Sequence, residues 1–282
     1  MGARIKSYVL LGVLSILLVY LGRFFGPNGV VVAFILAVVL NWVSYFFGDK
    51  LVLAMTSARP ISEEEYPQLH NIIAELSVAS GLPTPKLYLI PSGSPNAFAT
   101  GRDPQHASVA VTRGILELLD EQELKGVLAH EMSHIKNRDI LLATIAATIA
   151  SAITMLANML RWTTVFGNRD SERGSNVFSL IAILVMSILI PIAAAFIQLA
   201  ISRNREFLAD ETGARICRNP FSLASALRKL AYGVARQPMN AVNPSTSHLF
   251  IVNPFSAKSL LTLFSTHPPI EERIRRLENM AV

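Results

Sequence analysis

Residues 130–134 read His130-Glu131-Met132-Ser133-His134. On a helix, positions four apart share one face a turn above each other, so the two imidazoles can converge on a single metal ion with Glu131 beside it. The flanking sequence supplies the helix. Glu121 to Ala129 carries apolar residues at helical spacing, and Asp120 with Glu123 three positions on forms a candidate capping box. The plain alternative is a solvated helix face that carries two histidines, and the rest of the chain decides between the two.

The chain has 282 residues, of which 51% are hydrophobic and only 16% charged, with the apolar residues gathered into long uncharged runs. That balance suits a membrane protein better than a soluble one. Cys217 is the only cysteine, so no intrachain disulfide can form, thiolates do not hold a metal, and a reducing compartment is expected. The net charge of +5 lies in basic residues that flank the apolar runs, and no nucleic-acid motif is present. Nucleic acid is therefore not an expected partner; a lipid bilayer is.

Ser7 to Gly22 is a run of sixteen uncharged residues that reaches spanning length if Arg23 snorkels. Gly26-Pro27-Asn28-Gly29 reads as a tight turn, and Val30 to Gly48 adds nineteen uncharged residues with Trp42, Tyr45, Phe46 and Phe47 as an aromatic belt. A signal peptide is the alternative for the first run, but no small-residue cleavage site follows it. Ile140 to Leu160 forms a third candidate span and Gly174 to Ser202 contains a fourth, joined by the polar link Arg161 to Arg173. Basic residues near the spans favour one side (Arg4, Lys6, Lys50, Arg59, Lys136, Arg138, Arg203, Arg205) over the other (Arg23, Arg161, Arg169, Arg173), which predicts cytoplasmic termini and a cytoplasmic metal helix.

Between and after the spans the composition is that of a soluble domain. A helix from Ser62 and Glu65 through Leu76 and Val78 ends at Gly81-Leu82-Pro83, and Lys86 to Ile90, Asn96 to Thr100 and Ser108 to Thr112 read as strands of a small sheet. Glu206 to Ile216 should continue a helix out of the membrane, and Phe221 to Arg236 forms an amphipathic helix. Pro238 to Ser256 reads as a turn-rich loop, and Pro268-Pro269 starts a terminal helix through Arg276. The expected division is a membrane hairpin at 1–48, catalytic segments at 49–139 and 202–282, and a second hairpin at 140–201.

Two histidines leave a catalytic zinc short of a protein ligand, because such sites take three plus a water. His134 lies thirty-six residues before Asp170 in the polar link and Glu206 thirty-six after it, so two helical arms rising about 1.5 Å per residue would return Glu206 to the level of His134. Glu211 is a second acidic candidate on another face, and a surface ion pair of Glu206 with Arg203 or Arg205 is the plain alternative. Asp210, one turn beyond Glu206, could accept the second ring N–H of a ligating histidine. His70, His106 and His248 read as polar surface groups.

Pro95 to Gly101, Ser108 to Thr112, the His-Glu-x-x-His stretch, Ser202 to Asp210 and Ser265 to Ile274, in this order between two apolar hairpins, resemble the HtpX-type membrane zinc metalloproteases, relatives of the prenyl-protein-processing endopeptidases. The resemblance implies an α-helical integral membrane protein with four transmembrane helices and a mainly α (α+β) zincin-like domain carrying a small sheet. It implies one zinc per chain on His130, His134 and Glu206, with Asp210 behind the ligands and Glu131 moving the proton. Asn96, Ala97 and Phe98 would belong to an edge strand that receives the peptide, and His267 would help stabilise the tetrahedral intermediate. Substrates would be polypeptides, membrane proteins among them, handled in quality control and stress response at a prokaryotic inner membrane. A protease with its motif inside the bilayer is the first rival, but Glu121, Glu123, Lys125, Lys136, Arg138 and Asp139 bracket the motif with charge. A scaffold with structural zinc is the second; it would favour cysteine ligands and has no use for Glu131.

Overall fold

The computed structural model describes residues 3–23, 26–166, 202–238, 244–252 and 268–280. Helix α1 (Ala3–Gly22) and helix α2 (Gly26–Met55) pack against each other as a hairpin. The expected turn at Gly26–Gly29 is helical instead. Gly26 takes the positive φ (77°) that the reversal needs, and Pro27 sits in the first turn, where its missing N–H costs nothing. Helix α2 is long and apolar enough to cross a membrane, and only 11% of its most apolar window is buried, which leaves a wide apolar surface facing outward. It also runs past Gly48, carrying Asp49 and Lys50 on to Met55.

Strand β1 (Arg59–Pro60) opens a four-stranded sheet with β2 (Lys86–Ile90), β3 (Ala97–Gly101) and β4 (Ala107–Thr112) in the order β1-β2-β4-β3. β2 runs parallel to β4, while β3 lies antiparallel to β4 with Ala99 opposite Val109 and forms one edge. All six residues of β4 are buried because both faces are covered. Val109 and Val111 join the core of helices α3 (Pro67–Ser80) and α5 (Glu121–Lys136); Ala110 and Phe98 pack with Val52, Leu53, Ala147 and Phe250. The period of two that alternates side chains across a strand thus divides this strand between two cores.

Helix α3 begins at Pro67, five residues later than expected from Ser62. Tyr66 precedes a proline and is held out of the helical region (φ −138°, ψ 68°), so Ser62 begins a turn and Glu65 pairs with Arg59. Its end is as expected: Gly81 adopts the left-handed conformation (φ 69°) that only glycine enters without strain. The short helix α4 (Arg113–Leu118) leads into α5, and α6 (Ile140–Phe166) follows it. The capping box at the start of α5 is present in both directions: Asp120 accepts from the Glu123 N–H at 2.9 Å, and Glu123 accepts from the Asp120 N–H at 3.0 Å.

Helix α7 (Arg203–Cys217), helix α8 (Pro220–Arg236) and helix α9 (Ile270–Glu278) complete the domain, with a 3-10 turn over Pro244–Leu249 inside the expected loop. Helix α7 starts at Arg203 behind an extended Ser202 (φ −133°, ψ 126°) and packs against α5. The expected fourth span, apart from Ser202, and His267 lie outside the described residues.

Candidate metal centre

Helix α5 presents His130 and His134 one turn apart, with their Nε2 atoms 3.2 Å from each other. Helix α7 brings Glu206 in from the side: its carboxylate oxygens lie 3.6 Å from His134 Nε2 and 3.9 Å from His130 Nε2. The three donor atoms stay within 4.8 Å of one another. Ligands bound at about 2.0–2.2 Å in a tetrahedron stand about 3.3–3.6 Å apart, so two nitrogens and one oxygen at these separations fit a zinc site. Glu211 points outward, is exposed, and pairs with Arg215 at 3.0 Å.

The approach of α7 depends on Gly213. A Cβ at this position would lie 2.9 Å from the His130 backbone nitrogen and 3.0 Å from the Ala129 carbonyl carbon, so any larger residue would force α7 away from the metal helix. Glu206 and Asp210, one turn apart and both buried, face α5 because that contact is close.

Each histidine has a carboxylate behind it. Asp210 Oδ1 lies 2.9 Å from His130 Nδ1, a close contact outside hydrogen-bond alignment. His134 Nδ1 faces Asp139 at 3.5 Å, and Asp139 in turn pairs with Arg205 at 3.2 Å. Asp139 reaches this place because Arg138 takes a left-handed conformation (φ 62°) that turns the chain sharply between α5 and α6. Burial opposes charge on His134, but pairing with Asp139 and the carboxylates of Glu206 and Glu131 outweigh it and push its pKa up to about 9. A bound cation would compete with that proton.

Glu131 is buried in the same cavity, 2% exposed. Burial pushes its carboxyl above the usual range and Glu206 adds to the shift, while His130, His134 and the Ala99 N–H act the other way. A carboxylate held above its usual range accepts a proton more readily than an ordinary one.

The sequence reading did not single out Arg273. It is completely buried on α9, and its guanidinium donates from Nε to Asp210 Oδ2 at 2.8 Å and from Nη2 to Asp210 Oδ1 at 2.7 Å, with Nη1 bonded to the Ile251 carbonyl at 3.1 Å. Its charge holds the Asp210 carboxyl below the usual range against the opposing effect of burial. His248, expected at the surface, is instead 4% exposed, lies 3.2 Å from the Ala143 carbonyl and lines the cavity with the metal ligands. Local pattern carries no signal for either residue, because each is defined by partners more than a hundred or more than sixty positions away.

Asn96, Ala97 and Phe98 sit at the entry to edge strand β3 and along it, all fully buried. β3 is fastened to the start of α6 by Thr144, whose hydroxyl lies 2.8 Å from the Thr100 hydroxyl and accepts from the Gly101 N–H at 3.3 Å. Ala99 on β3 and Ile140 and Ala143 on α6 line the cavity, so the ligands meet where the catalytic sheet joins the first turn of an apolar helix.

A family model described as Peptidase family M48 matches residues 63–281. The chain belongs to Peptidase family M48. Among its relatives, a protein named Protease HtpX homolog from Syntrophobacter fumaroxidans is 53% identical over 282 residues, covering 99% of this chain and 100% of that protein. Another of the same name, from Pyrococcus furiosus, is 49% identical over 283 residues and covers 100% and 97%. The crystal structure of S. mikatae Ste24p is 21% identical with a TM-score of 0.48, over 97% of this chain and 64% of that one. This M48 peptidase is a metalloprotease, and His130, His134 and Glu206 form a group that fits its metal site.

Proposed function

We propose that this M48 peptidase is a membrane-bound zinc endopeptidase that hydrolyses misfolded or damaged membrane proteins at the cytoplasmic face of a prokaryotic inner membrane. The observation that carries the reading is the convergence of His130, His134 and Glu206 on one point, with Glu131 in the same cavity at the head of α6. One zinc per chain is the expected ion, since two imidazoles and a carboxylate without thiolates match its catalytic donor set. Held by these three residues, zinc would supply Lewis acidity towards the scissile carbonyl and the attacking water.

The chain's own residues do the rest. Glu131 takes a proton from the attacking water and delivers it to the leaving amine, which its raised pKa favours. Asp210, fixed by Arg273, orients the His130 ring through Nδ1, and Asp139 does the same for His134. An extended substrate added to the β3 edge at Asn96, Ala97 and Phe98 is held through its main chain, so many sequences are accepted provided they are locally unfolded. His267, on sequence resemblance, assists the tetrahedral intermediate.

Membrane attachment is supported by the outward apolar face of α2, and the cytoplasmic orientation by the basic residues beside the spans. Zinc-dependent cleavage of casein in detergent, absent from Glu131→Ala, tests the activity. Reporters fused near Asp49 and Val282 should report cytoplasm and one near Asn168 the opposite side; an inverted pattern would overturn the orientation. Polypeptides trapped in cells on a Glu131 variant and identified by mass spectrometry should be enriched in membrane proteins if quality control is the role.

A further inference from the structure

The edge of β3 is already in use. The Ile251 N–H donates to the Ala97 carbonyl at 3.1 Å, and Asn96 holds the next residue twice: its Nδ2 donates to the Val252 carbonyl at 2.8 Å and its Oδ1 accepts from the Val252 N–H at 3.3 Å. The Phe250 ring stands edge-on against Phe98, with centroids 5.3 Å apart and planes at 84°. His248, Leu249, Phe250 and Ile251 also line the cavity that holds His130, Glu131, His134 and Glu206. The Ala97 carbonyl and the Asn96 side-chain amide, which would grip a peptide on this edge, are therefore already bonded by the chain itself.

We propose that Phe250-Ile251-Val252 is an internal occupant of the peptide-binding edge, and that substrate binds by displacing it. The inference rests on the reading of Asn96, Ala97 and Phe98 as the substrate edge. Exchange of a substrate segment for this one conserves the hydrogen bonds to Ala97 and Asn96, while the bond from Arg273 Nη1 to the Ile251 carbonyl has to be made again by the substrate or given up. The occupant competes intramolecularly, at an effective concentration of order millimolar, and excludes weakly binding chains. Its chemistry also indicates what displaces it best: an extended apolar segment that places an aromatic side chain against Phe98 and a β-branched residue beside it. Such segments are exposed only when a protein is unfolded, so the occupant would spare folded neighbours.

The test uses the full-length protein in detergent with zinc and, as probe, a heptapeptide copying residues 247–253. The peptide should compete with casein for the parent enzyme. At a competing concentration it should raise amide exchange across residues 246–252 of the Glu131→Gln protein by about ten-fold or more, with β3 still protected. Failure to compete, or exchange in that segment that is unchanged or slower, would overturn the proposal. Phe250→Ala should lower KM for casein by about two- to ten-fold, the contribution of one ring pair to holding the segment down, with a smaller change in kcat. An unchanged or higher KM in a variant that melts like the parent also overturns it. Absence of casein cleavage by the parent enzyme would instead count against the proposed function.

Discussion

Arg273 grips Asp210 with two hydrogen bonds of 2.7 and 2.8 Å, across 63 residues of sequence and with both side chains buried, directly behind His130. The pair fixes the guanidinium of the terminal helix α9 against the carboxylate of α7 beside the metal helix. Its Nη1 lies 3.8 Å from Glu206 Oε2 as well, so one guanidinium braces the carboxylate behind His130 and faces the one beside it. A bidentate pair of this kind is shaped for arginine, and lysine cannot reproduce it.

Removing the guanidinium should therefore be costly. Arg273→Ala leaves Asp210 buried without its partner and is expected to destabilise the fold by about 3–5 kcal/mol. Arg273→Lys should retain part of that stability but weaken zinc binding, because the fork that orients Asp210 is gone. Thermal melting and zinc titration of the purified variants check both; parent-like zinc affinity in Arg273→Lys would show that orientation of Asp210 does not matter.

Asp210→Asn separates a supporting carboxylate from a ligand. Loss of a group that orients a ligating histidine is expected to weaken zinc binding and peptide hydrolysis by about 10- to 100-fold. Complete loss of zinc would assign Asp210 as a ligand, and parent-like titration would make it a bystander.

The three donors have no spare among them. His130→Ala, His134→Ala and Glu206→Ala should each lose zinc together with activity, measured by elemental analysis and casein cleavage. Glu211 is exposed and paired with Arg215, so full zinc occupancy in Glu206→Ala would contradict the geometry at its centre.

Glu131→Gln should keep zinc and lose hydrolysis, by about 10²-fold or more, because proton transfer is removed while the ligands stay. Near-parent cleavage with zinc retained would exclude Glu131 as the proton carrier.

Gly213→Ala probes the helix contact instead of the chemistry. The added Cβ meets the backbone of Ala129 and His130, which cannot rotate aside, so a loss of about 1–3 kcal/mol is expected. Zinc affinity should fall in parallel, because Glu206 and Asp210 move with α7. A stable variant with weakened zinc binding would still report the displacement, whereas parent-like values for both would show that the helices separate freely.

Local periodicity and short-range chemistry encode much of this architecture. Four-residue spacing placed His130 and His134 on one face of α5 and Glu206 with Asp210 on one face of α7, and Asp120 with Glu123 marked where the metal helix starts. Uncharged runs marked α1, α2 and α6 as apolar helices, because such a run needs no distant partner to be recognised; among the described residues α2 is the one long and apolar enough to cross a membrane. At the start of α3 two local signals compete: Ser62 and Glu65 favour a helix start, but Pro67 keeps Tyr66 out of the helical region and moves it. The tertiary structure alone decided the rest. Arg273 found Asp210, Asp139 found His134 through the left-handed turn at Arg138, His248 became buried in the cavity wall, and Phe250 to Val252 came to lie on β3. Apart from His134 and Asp139, which the turn at Arg138 joins locally, these pairings link residues distant in sequence. They follow from how closely whole helices approach, as at Gly213, and that closeness is a property of packing that no periodicity records.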